Sequence, residues 1–242
     1  MLIKTKGIVL RSLKYSETSI IADIFTEEKG LRSYLFSGVR SRNAKIKASL
    51  LQPMSLVEMV AYERQEKGLN RVRELQAAYV FQAIPFDLRK GAVGLFLAEI
   101  ARKVIREPEE NRPLFDFLFR SFRFLDGTGE PVANIHLYFL LELSYYLGFV
   151  PGGEWAPETP FFDMQEGTFT GQLPAHPHYL QETESQLLSR LLDCRMENCH
   201  EVAMGRRERK ALLRHLLDYY RLHIENLPEI NAHLILEEVL GE

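Results

Sequence analysis

Residues 19–37, SIIADIFTEEKGLRSYLFS, decide the fold. Ser19–Thr26 is rich in β-branched residues and runs into the turn cluster Glu27-Glu28-Lys29-Gly30. Leu31–Ser37 then alternates, with Leu31, Ser33 and Leu35 on one face and Arg32, Tyr34 and Phe36 on the other. Two strands joined by a short turn are therefore expected. Upstream, Ile3–Leu13 is a long extended run with Gly7 inside it, where a glycine marks a bulge or sharp bend. Downstream come a polar basic loop from Gly38 to about Ser49 and an apolar run, Leu50–Arg64, with Pro53 near its start. Gln65-Glu66-Lys67-Gly68 turns the chain into a fifth strand, Leu69–Ala77. Five short-looped strands of uneven length, the first one bent, fit a small closed barrel of the OB type. The length also suits an SH3-like barrel, so the pattern alone does not choose between the two; the OB reading is placed ahead.

After about residue 79 the period changes. Leu88–Arg106 repeats apolar residues at spacings of three and four (Val93, Phe96, Leu97, Ile100, Ala101, Val104) and stops before Pro108. Asn111 is an N-cap candidate for a helix Pro113–Leu125, which Gly127 would end. Pro131 opens another that runs to Leu147, with Gly148 as its stop. These two helices look apolar on nearly every side, as if surrounded by others. Val150–Pro174 breaks the pattern with PGGEWAPETP and then FFDMQEGTFTG, a hairpin turning near Glu166-Gly167. Amphipathic helices at Tyr179–Leu192 and Arg206–Ile224 and a short apolar tail, Leu234–Leu240, complete the chain. The expected class is α+β: an OB-type β-barrel domain over 1–79, then a mostly helical domain over 80–242 with a small inserted hairpin at 150–174.

Composition is that of an ordinary globular protein, 46% apolar and 26% charged. The start lacks the apolar run of a signal peptide, and Val132–Leu147 is too short to span a bilayer and contains His136 and Glu142. A cytoplasmic protein without a membrane is expected. Chemistry-bearing motifs are scarce. There is no phosphate-cradling glycine loop with a following Lys, no dinucleotide fingerprint and no nucleophile elbow. His200-Glu201 looks like the start of a zincin motif, but Met204 stands where the second His is needed. Cys194, Cys199 and His200 are not at a usual zinc spacing, so a buried Cys pair beside a loop His is the plainer reading. No constellation supports catalysis, and an enzyme is not expected.

Charge is distributed unevenly. Residues 1–80 hold 14 Lys and Arg against 8 Asp and Glu, whereas the remainder holds 16 against 25. From Lys29 to Val57 there are six basic residues (Lys29, Arg32, Arg40, Arg42, Lys45, Lys47) and no acid. A charge run is usually a solvated surface. This one follows the third strand of an OB-like barrel and includes Ser37, Gly38, Ser41 and Asn43, which can approach phosphates closely. OB barrels hold single strands with just such a basic groove beside stacking aromatics. No residue set suggests reading of base edges, so sequence-tolerant binding is expected.

The opening also resembles a known family. Gly7-Ile8-Val9-Leu10, Tyr15-Ser16-Glu17, Phe25-Thr26-Glu27-Glu28-Lys29-Gly30 and Ser37-Gly38-Val39-Arg40 occur in the order seen in the N-terminal segment of RecO, the bacterial recombination mediator and DNA repair family. Phe149-Val150-Pro151 is similar to that family's transition into a zinc-binding insertion. Many RecO-like proteins place four cysteines there, but this chain has none between Val150 and Asp193. No tetrahedral thiolate site can be built. A zinc-free hairpin held by Phe161, Phe162 and Phe169 is expected instead, with no metal or other cofactor.

The resemblance implies a non-catalytic protein that binds single- and double-stranded DNA and anneals complementary strands. It also implies work with the partner RecR to load RecA onto strands coated by single-stranded-DNA-binding protein. On that reading Arg32, Arg40, Arg42, Lys45 and Lys47 contact phosphates, and Tyr34 or Phe36 stacks a base. Barrel packing is the plainer role for both aromatics and the preferred one for Phe36. Six phosphate contacts would give a log K against log[salt] slope of about −4. A second basic cluster, Arg206, Arg207, Arg209, Lys210 and Arg214, opens a helix, where cations work against the helix dipole. Three roles stand equal for it: the acidic, apolar-ended tail of the single-stranded-DNA-binding protein, a second DNA patch, or salt bridges to the acidic body. The alternative function is a generic OB adaptor, RNA-binding or protein-binding, without annealing activity.

Overall fold

A computed structural model describes residues 2–41, 44–62, 69–106 and 109–241. Eight strands and six α-helices are found among them: β1 Leu2–Lys14, β2 Ile20–Thr26, β3 Gly30–Phe36, β4 Leu56–Tyr62, β5 Asn70–Tyr79, α1 Leu88–Val104, α2 Arg112–Gly127, α3 Ile135–Leu147, β6 Phe161–Asp163, β7 Thr168–Thr170, β8 Tyr179–Leu180, α4 Glu182–Leu192, α5 Arg206–His223 and α6 Ala232–Leu240. They form two compact units, Met1–Asp87 with Gly94–Gly127, and Leu88–Val93 with Thr128–Glu242. The class is α+β.

In the first unit β1–β5 close into a barrel in the order β1-β2-β3-β5-β4. β1 makes closure possible by changing partners along its length: Leu2–Ile8 pair with β4 and Gly7–Lys14 with β2. Gly7 sits at the changeover, where a Cβ would come within 2.5 Å of the Ile24 side chain. The register slips between Val9 and Arg11, so the bulge lies a few residues beyond the glycine. β3 meets β5 in parallel at Tyr34↔Asn70 and Leu35↔Arg71, which completes the OB-like arrangement. The β2–β3 turn is locked by Thr26, whose hydroxyl donates to the Gly30 carbonyl at 2.9 Å and accepts from the Lys29 N–H at 3.2 Å.

The apolar run from Leu50 does not enter a strand at once. Ala48–Leu51 form a 3-10 turn, Met54 takes a positive φ of 75°, and β4 begins only at Leu56. Leu51 is drawn into the barrel core, so the run's first apolar residues plug the barrel end rather than extend its wall. α2 is also more one-sided than its composition suggests. Leu114, Phe115, Leu118, Phe122 and Leu125 are buried, while Asp116, Arg120, Arg123 and Gly127 are exposed at i, i+4, i+7 and i+11. Asn111 caps it, its side-chain oxygen accepting from the Leu114 N–H at 3.1 Å.

Asp126, at the end of α2, ties the segment after β5 to the helix. Its buried carboxylate accepts from the N–H groups of Gln82 at 2.9 Å, Ala83 at 2.8 Å and Ile84 at 2.9 Å, and from the Tyr79 hydroxyl at 3.0 Å. Burial raises its pKa, but the donors of Ile84, Gln82, Ala83 and Tyr79 outweigh it and hold the carboxyl below its ordinary value.

The second unit is built on α3, most of whose residues are buried. α3 starts at Ile135 rather than at Pro131, because the Asn134 side chain is held by the carbonyls of Cys199 and Val202, both at 3.0 Å. Gly148 ends it in the left-handed region at φ 85°. The hairpin β6–β7 turns at Gly167 (φ 68°), and Tyr179–Leu180, which helical periodicity assigns to the next helix, pair with β6 as a third strand. Aromatic contacts hold this small sheet: Phe162 packs on Phe169 at 5.0 Å and on Tyr219 at 5.9 Å. Tyr219 donates to the Phe149 carbonyl at 2.6 Å. His223 stacks on Phe149 at 5.3 Å. The apolar tail is α6, whose Leu236 is buried.

Candidate nucleic-acid interface

The loop that follows β3 is held by apolar pegs, and its cations stand between them. Val39, Ile46, Leu50 and Leu51 all pack on the barrel core, whereas Arg40, Lys45 and Lys47 are exposed. Each peg holds its stretch of backbone on the core and leaves the adjacent cation in water. The loop is further fixed by a turn in which Ser41 bonds the Gly38 carbonyl through its N–H at 3.2 Å and its hydroxyl at 2.7 Å. Arg42 and Asn43 lie outside the described residues.

The described basic residues of the run from Lys29 to Val57 do not form one patch. Lys29 belongs to the β2–β3 turn, one full length of β3 away from the loop, about 20 Å at the usual rise. Arg32 is half-buried and donates to its neighbour's carbonyl, Leu31 O, at 3.2 Å. Lys45 lines a groove of about 390 Å³ over β1, β4 and β5, shared with Lys4, Arg73, Glu58 and Glu74. The other two cations there are paired, Lys4 with Glu58 at 2.9 Å and Arg73 with Glu74 at 3.2 Å. Arg40 lies on another side, its N–H donating to Thr18 O of the β1–β2 loop at 3.2 Å.

Tyr34 requires a correction. Its ring is 1% exposed inside the barrel, as is that of Phe36. The face of β3 carrying Arg32, Tyr34 and Phe36 is the interior face, so neither aromatic can stack a base. The opposite face of β3 points away from the barrel core. Leu13, Ile21 and Leu35 are cross-strand neighbours, and the parallel pairing adds Arg71, giving an outward row across four strands. Leu13 is 44% exposed, and Tyr15, at the entrance to the β1–β2 loop, is 61% exposed. Arg11 and Lys14 flank it, both exposed. A side chain as large as Tyr15 in a polar turn, just after a strand, is the sequence signal that could have drawn attention to this exposed face.

The second cluster has a different geometry. Arg209 is half-buried, with Nε donating to Asn134 Oδ1 at 2.9 Å and Nη2 to Met204 O at 3.0 Å. It braces the second unit rather than reaching for a partner. Lys210 and Arg214 both pair with Glu237 of α6, at 2.6 and 3.2 Å, and Arg206 donates to Gly241 O at 2.6 Å. Arg207 is exposed. Glu237 is pushed up by burial and more strongly down by hydrogen bonds from Lys210 and Arg214, so its carboxyl lies below its ordinary range. Between α5 and α6 a cavity of about 280 Å³ is lined by Arg206, Arg207, Lys210, Leu213, Leu236 and Leu240, with His136 also on its wall. Burial and the nearby Arg209 lower the His136 pKa to about 3.

Among the described residues no group of His, Cys, Asp or Glu could hold a metal ion. Cys199 is buried and donates to Met196 O, and burial pushes its thiol up to about 12. Cys194 donates to Arg190 O, and His200 pairs with Glu130 at 3.4 Å. No helix among the described residues is long and apolar enough to cross a membrane.

Comparison with known proteins agrees with this architecture. The family described as "Recombination protein O N terminal" matches residues 1–81, and "Recombination protein O C terminal" matches residues 85–229. A DNA repair protein RecO from Phocaeicola vulgatus is 39% identical over 241 residues, covering all of both chains. One from Bacteroides fragilis is 40% identical over 99% of each, and one from Flavobacterium johnsoniae is 38% identical over the full length of both. With a closed five-stranded barrel followed by a helical unit, and full-length relatives at this identity, the chain belongs to the RecO family of DNA repair proteins.

Proposed function

We propose that this protein is a non-catalytic recombination mediator that binds single- and double-stranded DNA without reading sequence, anneals complementary strands and, with RecR, helps load RecA onto strands coated by single-stranded-DNA-binding protein. The observation that carries the reading is the pegged loop of the barrel, which holds Arg40, Lys45 and Lys47 exposed on a fixed backbone. Annealing asks for neutralised phosphates and bases left free to pair, which exposed cations without base-edge donors supply. On the Arg40 side the strand would cross the Leu13–Ile21–Leu35 row, with Tyr15 as the stacking residue and Arg11, Lys14 and Arg71 on phosphates. Lys45 and Lys47 extend the contact around the barrel.

The basic, apolar surface that α5 presents to the cavity between α5 and α6 is the proposed seat of the acidic, apolar-ended tail of the single-stranded-DNA-binding protein. On the α5 side Arg206, Arg207, Arg209 and Lys210 stand beside Leu213, a combination that suits an apolar side chain with a terminal carboxylate. The insertion at 150–174 works without zinc: the Phe149, Phe162, Phe169 and Tyr219 cluster provides the cross-links that a metal would otherwise supply.

The decisive experiment is annealing of complementary strands already coated with the host's single-stranded-DNA-binding protein. Acceleration by the purified protein supports mediation; binding to the coat or to DNA without acceleration would reduce it to an adaptor. Metal analysis of an untagged sample tests the zinc-free insertion, and one zinc per chain would overturn it.

A further inference from the structure

The segment lying on the basic turns of α5 has the chemistry of the ligand proposed for them. α6 reads AHLILEEVL and lays Leu236, Glu237 and Leu240 along the wall of the cavity between the two helices. Glu237 pairs with Lys210 at 2.6 Å and reaches Arg214 with both carboxylate oxygens, at 3.2 and 3.3 Å. Arg206 closes on the Gly241 carbonyl at 2.6 Å. An acid and two leucines are thus held by three cations and Leu213, which is the complement an acidic, apolar peptide would meet.

The attachment is shallow. α6 has nine residues and a single buried side chain, Leu236, while Leu234 and Ile235 on its outer side are 58% and 49% exposed. A helix this short is marginal by itself, so its persistence depends on these few contacts. Elements with few buried apolar contacts open at the lowest free energy in a fold. Lys210 and Arg214 are themselves about half exposed, so their pairs with Glu237 are weak and sensitive to salt. α6 also lies beyond the residues matched by the family's C-terminal description, whereas the cations that it covers lie within them.

We propose that α6 is an internal competitor: it occupies the basic, apolar surface of α5 and must be displaced before an acidic, apolar-ended peptide can bind there. This rests on the reading, given above, that the α5 surface takes such a peptide. The surface would then be masked in the free protein and opened by a ligand present at high local concentration, such as the many tails displayed on a coated strand.

The test uses a fluorescein-labelled synthetic peptide with a run of aspartates and an apolar carboxy-terminal residue, titrated by anisotropy. It compares the full chain, a chain ending at Ile230, and the full chain carrying Glu237→Gln. Removal of α6 should tighten binding about tenfold, and Glu237→Gln about two- to fivefold, as expected for loss of partly exposed ion pairs. Lys210→Glu in the shortened chain should abolish the gain. Equal affinity for the full and shortened chains would overturn the competition while leaving the peptide site standing. Weaker binding by the shortened chain would make α6 a wall of the site, and that too overturns it. No binding by any of the three overturns the peptide site and the competitor together. Glu237→Gln keeps the test valid if the shortened chain fails to fold.

Discussion

The loop after β3 and the first turns of α5 carry the same sequence signal, a cluster of Lys and Arg with little acid, and the fold treats them in opposite ways. In the loop, apolar residues alternate with the cations and are drawn into the barrel, so Arg40, Lys45 and Lys47 stay exposed. In α5 a neighbouring segment supplies partners: Glu237 takes Lys210 and Arg214, the Gly241 carbonyl takes Arg206, and Asn134 takes Arg209. Charge written in a sequence is therefore not yet charge presented to a ligand. What separates the two is whether the adjacent apolar residues bury themselves or bring an acidic element with them.

The largest expected effect tests that contrast directly. Reversal of Arg40, Lys45 and Lys47 to Glu should weaken single-stranded DNA binding at least about a hundredfold and lower the salt slope by about two. The melting temperature should hardly move, because all three side chains are exposed. The same reversal at Arg207 and Lys210 should change DNA affinity less than about threefold. Equal losses from the two clusters, measured by anisotropy at several salt concentrations, would erase the distinction between them.

Arg209→Ala should destabilise the protein by about 2–3 kcal/mol, since it leaves Asn134 Oδ1 and Met204 O without their donor. Lys210→Ala should cost under about 1 kcal/mol. Denaturant unfolding compares the pair, and similar losses would mean that Arg209 is not the brace proposed. On the barrel, Tyr15→Ala should weaken single-stranded DNA binding by about 1–3 kcal/mol, the usual contribution of a stacked base. Tyr34→Ala should instead lower stability through a cavity in the core. An unchanged Tyr15→Ala affinity would remove the platform on the outer face of β1–β3.

The pH dependence is continuous. His136 titrates at about 3 in the folded protein, below the ordinary imidazole value. Between those pH values the unfolded chain takes up a proton that the folded chain does not. Its contribution to stability is therefore complete above about pH 6.5 and falls as pH drops, by about 1.4 kcal/mol per pH unit. His136→Phe should flatten that slope in urea titrations. A slope unchanged by the substitution would place the acid sensitivity elsewhere, for instance at Asp126 or Glu237, whose lowered pKa values cost stability only as pH falls through them.

Much of the barrel was legible because short strands announce themselves through alternation and turn chemistry. Thr26 to Gly30 reads as a turn, and it is one. The helix ends at Asn111 and Gly148 were also legible, since capping depends on neighbours in sequence. What misled was any residue whose role depends on distant partners. Leu50 and Leu51 look like a strand start but plug the barrel, and Tyr179–Leu180 look helical but complete a sheet with β6. That the loop after β3 carries exposed cations was legible from sequence. The choice between the two faces of β3 was not, because alternation assigns residues to faces without saying which face is inside. Asp126 was missed as well: nothing local marks one carboxylate as the acceptor for three backbone amides more than forty residues away.

The number and order of the barrel strands, the helix ends at Asn111 and Gly148 and the cysteine-free insertion were determined by the sequence itself, since each follows from local backbone preference or from composition. Tertiary structure alone decided that Tyr34 is core and Tyr15 surface, that Lys29 and Arg40 stand at opposite ends of β3, and that the basic turns of α5 lie under α6. The physical reason is the same in each case. Barrel closure and helix docking are choices of partner across long stretches of chain, and burial, which fixes whether a charge or a ring meets solvent, exists only once those partners have been chosen.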